Sequence, residues 1–327
     1  MTGRQAFSQK GELAGGSVEL LANTFIWCSP LSDRRLSELA PRVAAFGFDG
    51  IELPLENVGD WDPDAAASVL KDCRLSCAVG AVMPPGRELV ATDPLTLGRT
   101  QDYLRACLDC AATVGAPMVS GPVYASVGRV WRATPDERAA LVEDLRQALL
   151  PVAQHAASVG VAIGLEPLNR YETSLVNTSA QAMEILDGLP AAGIGVALDA
   201  YHMNIEERSL SAAVRTAGSR LLHVQVSGND RGAPGGDGVD WDDLAHGLGE
   251  IGYRGMVSIE SFTPDNETIA RAASIWRPLA ESQDAIATDG LPFLRRWVEQ
   301  WVGVQSASGD EEGTAQREPH EEGAHQP

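Results

Sequence analysis

A chain of 327 residues, 44% of them hydrophobic, holds enough apolar material for one large domain or two small ones. Its net charge of −20 excludes nucleic acid and anionic membrane surfaces as natural partners, because both would repel it. No apolar run approaches the roughly 20 residues a membrane span needs, and residues 1–17 lack the apolar core of a signal peptide, so a cytoplasmic protein is expected.

After the Gly/Ser/Gln-rich leader at 1–17, residues 18–27 read as a strand, 33–46 as a helix, 50–55 as a strand and 61–71 as a helix. The pattern continues with strand 75–82, helix 93–114, strand 117–124 and the long helix 135–159, whose Thr134-Pro135-Asp136-Glu137 start suits a helix N-terminus. The second half repeats it: strand 161–167, helix 178–189, strand 193–200, helix 207–217, strand 221–226, helix 241–251, strand 255–261 and helix 266–280. A last helix spans 292–302. Each strand is short and almost continuously apolar, the mark of a strand covered on both faces and therefore parallel. Eight such strand–helix units over about 280 residues predict an α/β fold of the closed (β/α)8, or TIM-barrel, type rather than an open sheet. The glycine fingerprint of a dinucleotide-binding fold is missing after the first strand, where Trp27-Cys28-Ser29-Pro30 stands instead.

One catalytic barrel is thus expected at 18–303, between a flexible leader at 1–17 and an acidic tail at 304–327. Residues 303–327 carry six carboxylates against one Arg and almost nothing apolar, so the tail is expected to be disordered, and His320 and His325 with it. Five cysteines without a secretory signal read as reduced thiols. Cys107-Leu108-Asp109-Cys110 has metal-site spacing but no second pair and no neighbouring His.

In such a barrel the strands' C-terminal ends converge on one cavity. Strand five ends in Glu166, strand six in Asp199 and strand eight in Glu260, with Gln225 near the end of strand seven. Three carboxylates aimed into one confined space repel one another and are costly to bury ionised. A divalent cation removes the repulsion most directly, and an all-oxygen set suits Mg²⁺ or Mn²⁺. A second set lies on the same rim: Asn169, Arg170 and Glu172 past strand five, His202 at the mouth of strand six, and Arg231 after strand seven. The plainer alternatives are that acidic strand ends hold loops, that His202 caps one, and that Arg231 pairs with Asp230 or Asp237. Trp27, Tyr124 and Trp131 are candidates for an apolar wall, Glu52 for a supporting position, and His155 and His246 for surface or packing roles.

Three stretches carry a resemblance: Leu165-Glu166-Pro167-Leu168-Asn169-Arg170-Tyr171-Glu172, Leu198-Asp199-Ala200-Tyr201-His202-Met203-Asn204-Ile205-Glu206-Glu207 and Ser227-Gly228-Asn229-Asp230-Arg231-Gly232. Together they resemble the ketohexose 3-epimerases (D-tagatose or D-psicose 3-epimerase), members of the xylose isomerase-like barrels, over about residues 18–300. The resemblance implies a metal-dependent isomerase of carbohydrate metabolism. One divalent ion would be held by Glu166, Asp199, the strand-seven residue and Glu260, with Mn²⁺ expected first and Mg²⁺ or Co²⁺ as alternatives. It implies that Glu166 and Glu260 remove and return a C3 proton on opposite faces of a ketose through an enediolate. It also implies that Glu172, His202 and Arg231 hold the sugar's oxygens, with Tyr124 and Trp131 as further substrate contacts. A small-molecule sugar is the expected partner and a homodimer or homotetramer the expected assembly.

The sequence departs from that family on strand seven, where the second His of a His-x-His pair is replaced in His223-Val224-Gln225. A strand alternates faces with period two, so His223 and Gln225 share a face about 6.5 Å apart, with His223 the deeper. Three readings stand at this point: ligation by the Gln225 amide oxygen, weakened or lost metal binding, or a register shift that brings in His223. The change also opens other chemistry on the same glutamates, namely a 3-oxo-glycoside epimerase or a lyase and C-deglycosidase, and a metal-free sugar-binding pseudoenzyme. A phosphodiesterase of the endonuclease IV type would need more histidines than the four outside the tail.

Overall fold

The computed structural model describes residues 17–302, so the leader other than Ser17 and the whole acidic tail lie outside the described residues. The expected barrel forms. Its strands are β1 Glu19–Asn23, β2 Gly50–Leu55, β3 Ser76–Ala81, β4 Met118–Gly121, β5 Ala162–Leu165, β6 Ile194–Asp199, β7 Leu221–Val226 and β8 Met256–Ile259. Every neighbouring pair is parallel, and β1 pairs with β8 to close the ring. The helices are α1 Asp33–Phe46, α2 Pro63–Cys73, α3 Pro94–Val114, α4 Pro135–Val159, α5 Ser179–Leu186, α6 Ala200–Glu206, α7 Leu210–Ala217, α8 Trp241–Glu250, α9 Glu267–Ala272 and α10 Gln283–Val302.

Local chemistry sets the helix starts. The Ser32 hydroxyl accepts the Arg35 N–H at the head of α1, and Asp93 caps α3 ahead of Pro94. Thr134 and Glu137 exchange side-chain-to-backbone bonds in a capping box at the head of α4. Three helices differ from expectation, and one of them, α6, was not predicted at all. The predicted helix at 266–280 stops at Ala272, because Ser274 turns to φ +58° and Pro278 follows, neither of which continues a helix. The helix expected to begin at Pro292 begins instead at Gln283, with Pro292 in its interior. Burial of Ile286, Leu291, Leu294, Trp297 and Trp301 on one face outweighs the hydrogen bond lost at the proline.

Most of the core lies between the sheet and the helix ring. A smaller cluster of Leu21, Ala78, Met118 and Met256, from the strands' N-terminal halves, fills the barrel's interior at that end. Toward the C-terminal ends the inward residues turn polar. The register pairs Asp199 with Gln225 and Gln225 with Ser258, so Glu260, two residues on, faces the same interior. No helix among the described residues is long and apolar enough to cross a membrane.

Candidate active site

The strand ends bring the predicted carboxylates together. Glu166 follows β5, its backbone N–H donating to the Gly121 carbonyl at the end of β4 at 3.0 Å. Asp199 ends β6 and caps α6 by accepting the Tyr201 N–H at 2.9 Å. Glu260 follows β8, its N–H bonded to the Val226 carbonyl at 3.1 Å. All three are buried.

Arg231 turns into this cage. The loop between β7 and α8 closes on itself through the Arg231 N–H to Gly228 and the Gly228 N–H to Gly232, at 2.8 and 2.9 Å. It places Arg231 at φ +68°, a region most side chains avoid, and the Ser261 hydroxyl donates to the Arg231 carbonyl. The guanidinium then donates to Asp199 Oδ2 at 2.5 Å and to Glu260 Oε2 at 3.4 Å, and lies 3.9 Å over the Tyr201 ring. The expected alternative pairings do not form: Asp230 pairs with Arg277 at 3.0 Å, and Asp237 accepts from the backbone of Gly235 and Val239.

Charge in the cage is unbalanced. Burial, followed by the neighbouring Glu260 and Asp199, pushes the Glu166 carboxyl well above its usual range. Burial pushes Glu260 up to about 8 against the opposing pull of Arg231, and raises Asp199 and Glu172 in the same way. One guanidinium does not neutralise so many carboxylates.

His202 stands in the first turn of α6, its Nε2 3.7 Å from both Glu166 Oε1 and Asp199 Oδ2. Burial, reinforced by Arg231, holds its pKa well below the usual imidazole value, so it is neutral. Glu172 is half-buried and accepts a bond from Asn169 Nδ2 at 2.8 Å. Glu166, Asp199 and His202 form a candidate metal-binding cluster, with one ligand atom from each within 4.8 Å of the others.

Gln225 links the cage to a further buried polar pair, Glu52 and His223. Gln225 donates through Nε2 to Glu260 Oε1 at 3.0 Å and to Glu52 Oε1 at 3.2 Å, while its own Oε1 is buried without a hydrogen bond. Glu52, on β2, is fully buried 3.4 Å from His223 Nε2. Burial would lift the Glu52 carboxyl, but His223, Ser258 and Asn23 together outweigh it and hold the group below its usual range. His223 sits deeper than Gln225, as the strand period requires, so no register shift exchanges the two.

A protein-family model described as the xylose isomerase-like TIM barrel matches residues 40–296. The chain belongs to that family. It is 30% identical over 286 residues to a probable ketose 3-epimerase of Synechocystis sp., covering 87% of this chain and 98% of the relative. It superposes on the solved D-allulose 3-epimerase of Methylomonas sp. in complex with D-allulose with a TM-score of 0.79, at 27% identity, over 86% of this chain and 98% of that one. A shorter stretch of 107 residues, a third of this chain and 41% of the relative, is 36% identical to the 3-dehydro-D-guloside 4-epimerase of Escherichia coli. These relatives are isomerase-class enzymes, and this xylose isomerase-like barrel is an enzyme of that class.

The aromatic candidates fall less tightly around the cage. Tyr124 is fully buried, donating to the Val176 carbonyl at 3.3 Å, and burial followed by the charge of Glu166 raises its hydroxyl well above its usual range. Trp131 is half-buried on the loop between β4 and α4, with the Arg129 guanidinium 5.0 Å from its ring. Arg129 in turn pairs with Glu88 at 2.7 Å, and the Gly128 N–H bonds the Glu172 carbonyl, tying this loop to the Glu172 segment. The Trp27 indole donates to Asp284 on α10 at 2.7 Å and belongs to the packing there. His155 and His246 pair with Asp109 and Glu250 on the helix ring, as expected of surface residues. All five cysteines are free, and burial pushes the Cys107 thiol up to about 12.

Asn23 escaped the sequence reading. It is buried at the end of β1, with Nδ2 3.5 Å from Glu260 Oε1. The signal was the one used elsewhere, a polar residue closing an apolar strand. It was hidden because Phe25 and Ile26 keep the run apolar through a buried 3-10 turn.

Proposed function

We propose that this chain is a divalent-metal-dependent ketose 3-epimerase in which Glu166, Asp199, Gln225 and Glu260 hold the ion. The observation that carries the reading is the cage itself: three buried carboxylates on strand ends five, six and eight, a single guanidinium, and a buried carboxamide oxygen on strand seven with no partner. The donor chemistry fits a hard divalent cation. Both hydrogens of the Gln225 amide go to carboxylates, leaving Oε1 as the atom available for ligation, and every ligand atom is oxygen. Manganese or magnesium suits such a set better than softer ions. Bound there, the ion would polarise the substrate's carbonyl and neighbouring hydroxyl oxygens.

The residues supply the rest. One of Glu166 and Glu260 takes the C3 proton as its electron pair moves into the C2–C3 bond, forming an enediolate. The other returns a proton to C3 on the opposite face, inverting that centre. Glu172, His202 and Arg231 hold the sugar's oxygens, with Tyr124 and Trp131 on its flank.

A second reading, epimerisation of a 3-oxo-glycoside at C4, is favoured by the stretch shared with the 3-dehydro-D-guloside 4-epimerase. Metal analysis followed by a sugar panel separates the two. About one Mn²⁺ or Mg²⁺ per chain, with conversion of a free ketose into its C3 epimer, supports the first. Turnover of 3-oxo-glycosides alone supports the second, and a metal-free, inert protein opposes both.

A further inference from the structure

His202 Nε2 is close enough to Glu166 and Asp199 to resemble a metal ligand, yet the opposite side of the ring decides what that nitrogen carries. His202 Nδ1 faces two atoms of Asn169, the backbone N–H at 3.0 Å and the side-chain Nδ2 at 2.9 Å. A backbone N–H can only donate. The orientation of the Asn169 amide is set by two further bonds, since Oδ1 accepts the Tyr171 N–H at 2.9 Å and Nδ2 donates to Glu172 Oε1 at 2.8 Å. Flipping the amide would lose the first bond and set an oxygen against the Glu172 carboxylate. Nδ1 therefore presents a lone pair to two donors.

We infer that Asn169 is a positioning residue that fixes His202 in the neutral tautomer bearing its hydrogen on Nε2, so that His202 offers a hydrogen-bond donor to the sugar and no lone pair to the metal. The inference rests on the reading of the cage as a ketose site. A neutral imidazole has one N–H, and with Nδ1 accepting, that hydrogen is on Nε2. A protonated Nε2 has no lone pair for a cation, so the spacing to Glu166 and Asp199 is that of a donor among acceptors. Arg231 Nη2, which can only donate, also lies in hydrogen-bond geometry 3.0 Å from His202 Nε2, and that contact alone would ask Nε2 for a lone pair. A neutral ring cannot accept at both nitrogens, and the two Asn169 donors on Nδ1 outweigh the single one on Nε2. Two donors that close on each other repel unless one acceptor takes both. A sugar hydroxyl, or the oxygen on which negative charge grows as C3 is deprotonated, is such an acceptor. Asn169 is itself buried and holds Glu172 with the same amide nitrogen, so one side chain sets two of the sugar's proposed partners.

The test is a long-range ¹H–¹⁵N spectrum of the histidine rings in protein with and without Mg²⁺, with His202 assigned by its loss in His202→Gln. Expected is an unprotonated Nδ1 and a protonated Nε2 in both states. A protonated Nδ1, or an Nε2 resonance displaced to a metal-bound value on adding Mg²⁺, would overturn the inference. Asn169→Asp sets an acceptor against Nδ1 and a like charge against Glu172. It is expected to move His202 toward the Nδ1–H tautomer and to lower kcat/KM by about 10–100-fold. An unchanged tautomer in a folded Asn169→Asp protein would remove Asn169 from the role, and the wild-type spectrum decides the tautomer even if that variant does not fold. Failure of the ketose reading looks different: a protein inert on every ketose that still shows Nε2–H supports the tautomer and rejects the substrate.

Discussion

Gln225 donates through its amide nitrogen to Glu260 at 3.0 Å, which leaves the amide oxygen buried and without a hydrogen bond. The resemblance carried by the sequence motifs leads one to expect an imidazole at this point of strand seven, where Gln225 stands. An amide oxygen is the harder donor, so Gln225→His is expected to keep or tighten Mn²⁺ binding and to raise affinity for Co²⁺, Ni²⁺ and Zn²⁺ by a larger factor. Titration calorimetry with the four ions checks this. Loss of Mn²⁺ binding in Gln225→His would show that strand seven does not supply a ligand.

Glu166→Gln and Glu260→Gln each remove one of the proposed proton carriers. Either change is expected to lower turnover by at least about 10²–10⁴-fold, the range for a positioned general acid or base. Both carboxylates are buried among like charges, so the metal-free variants should melt no lower than the parent. Steady-state kinetics beside a thermal scan separates the two effects; near-normal turnover in either variant removes that residue from the proton transfer.

The raised carboxyl of Glu260 gives a pH dependence with a definite sign. Burial lifts it from near 4.5 to about 8, so the folded, metal-free protein binds this proton more tightly than the unfolded chain does. Its contribution to stability is complete below about pH 4.5 and is lost as pH rises through about 8; Glu166 acts in the same direction. A divalent ion takes the proton's place as neutralising partner. The rise in Tm on adding Mn²⁺ is therefore expected to grow between pH 5.5 and 8. An ion-induced shift that is flat across this window would show that the ion does not bind at these carboxylates.

Gly121 ends β4 at φ +150°, and a Cβ there would lie 2.4 Å from the Ala81 carbonyl oxygen. Its own carbonyl anchors the Glu166 N–H. Gly121→Ala is expected to cost about 1–3 kcal/mol from the backbone alone, with a further cost from the clash, and to lower kcat more than an equally destabilising change in the helix ring. Denaturant melts paired with kcat for Gly121→Ala and Leu145→Ala check this; equal kcat in the two would remove the link to Glu166.

Much of the barrel and its acidic mouth was legible because both follow from local pattern. β2 and β7 lie where their apolar runs place them, as do α1 and α4 between a capping residue and a glycine. Glu166, Asp199 and Glu260 stood out because each breaks an apolar strand. What could not be read is set by contacts across the chain or by residues with two roles. Asp199 ends a strand and caps a helix at once, which hid α6. Arg231 has carboxylates next to it in sequence, yet its left-handed backbone turns it to Asp199, 32 positions away. The Asn169–His202 contact spans 33 positions and has no local signature.

The central claim is that a sugar carbon exchanges its hydrogen with Glu166 and Glu260. Incubating the Mn²⁺-loaded protein with free ketoses in D₂O, and reading the products by NMR, tests it directly. Deuterium is expected at C3, in the new epimer and in the recovered ketose, and at no other carbon. A C3 epimer formed without deuterium at C3, or exchange confined to another carbon, would contradict it.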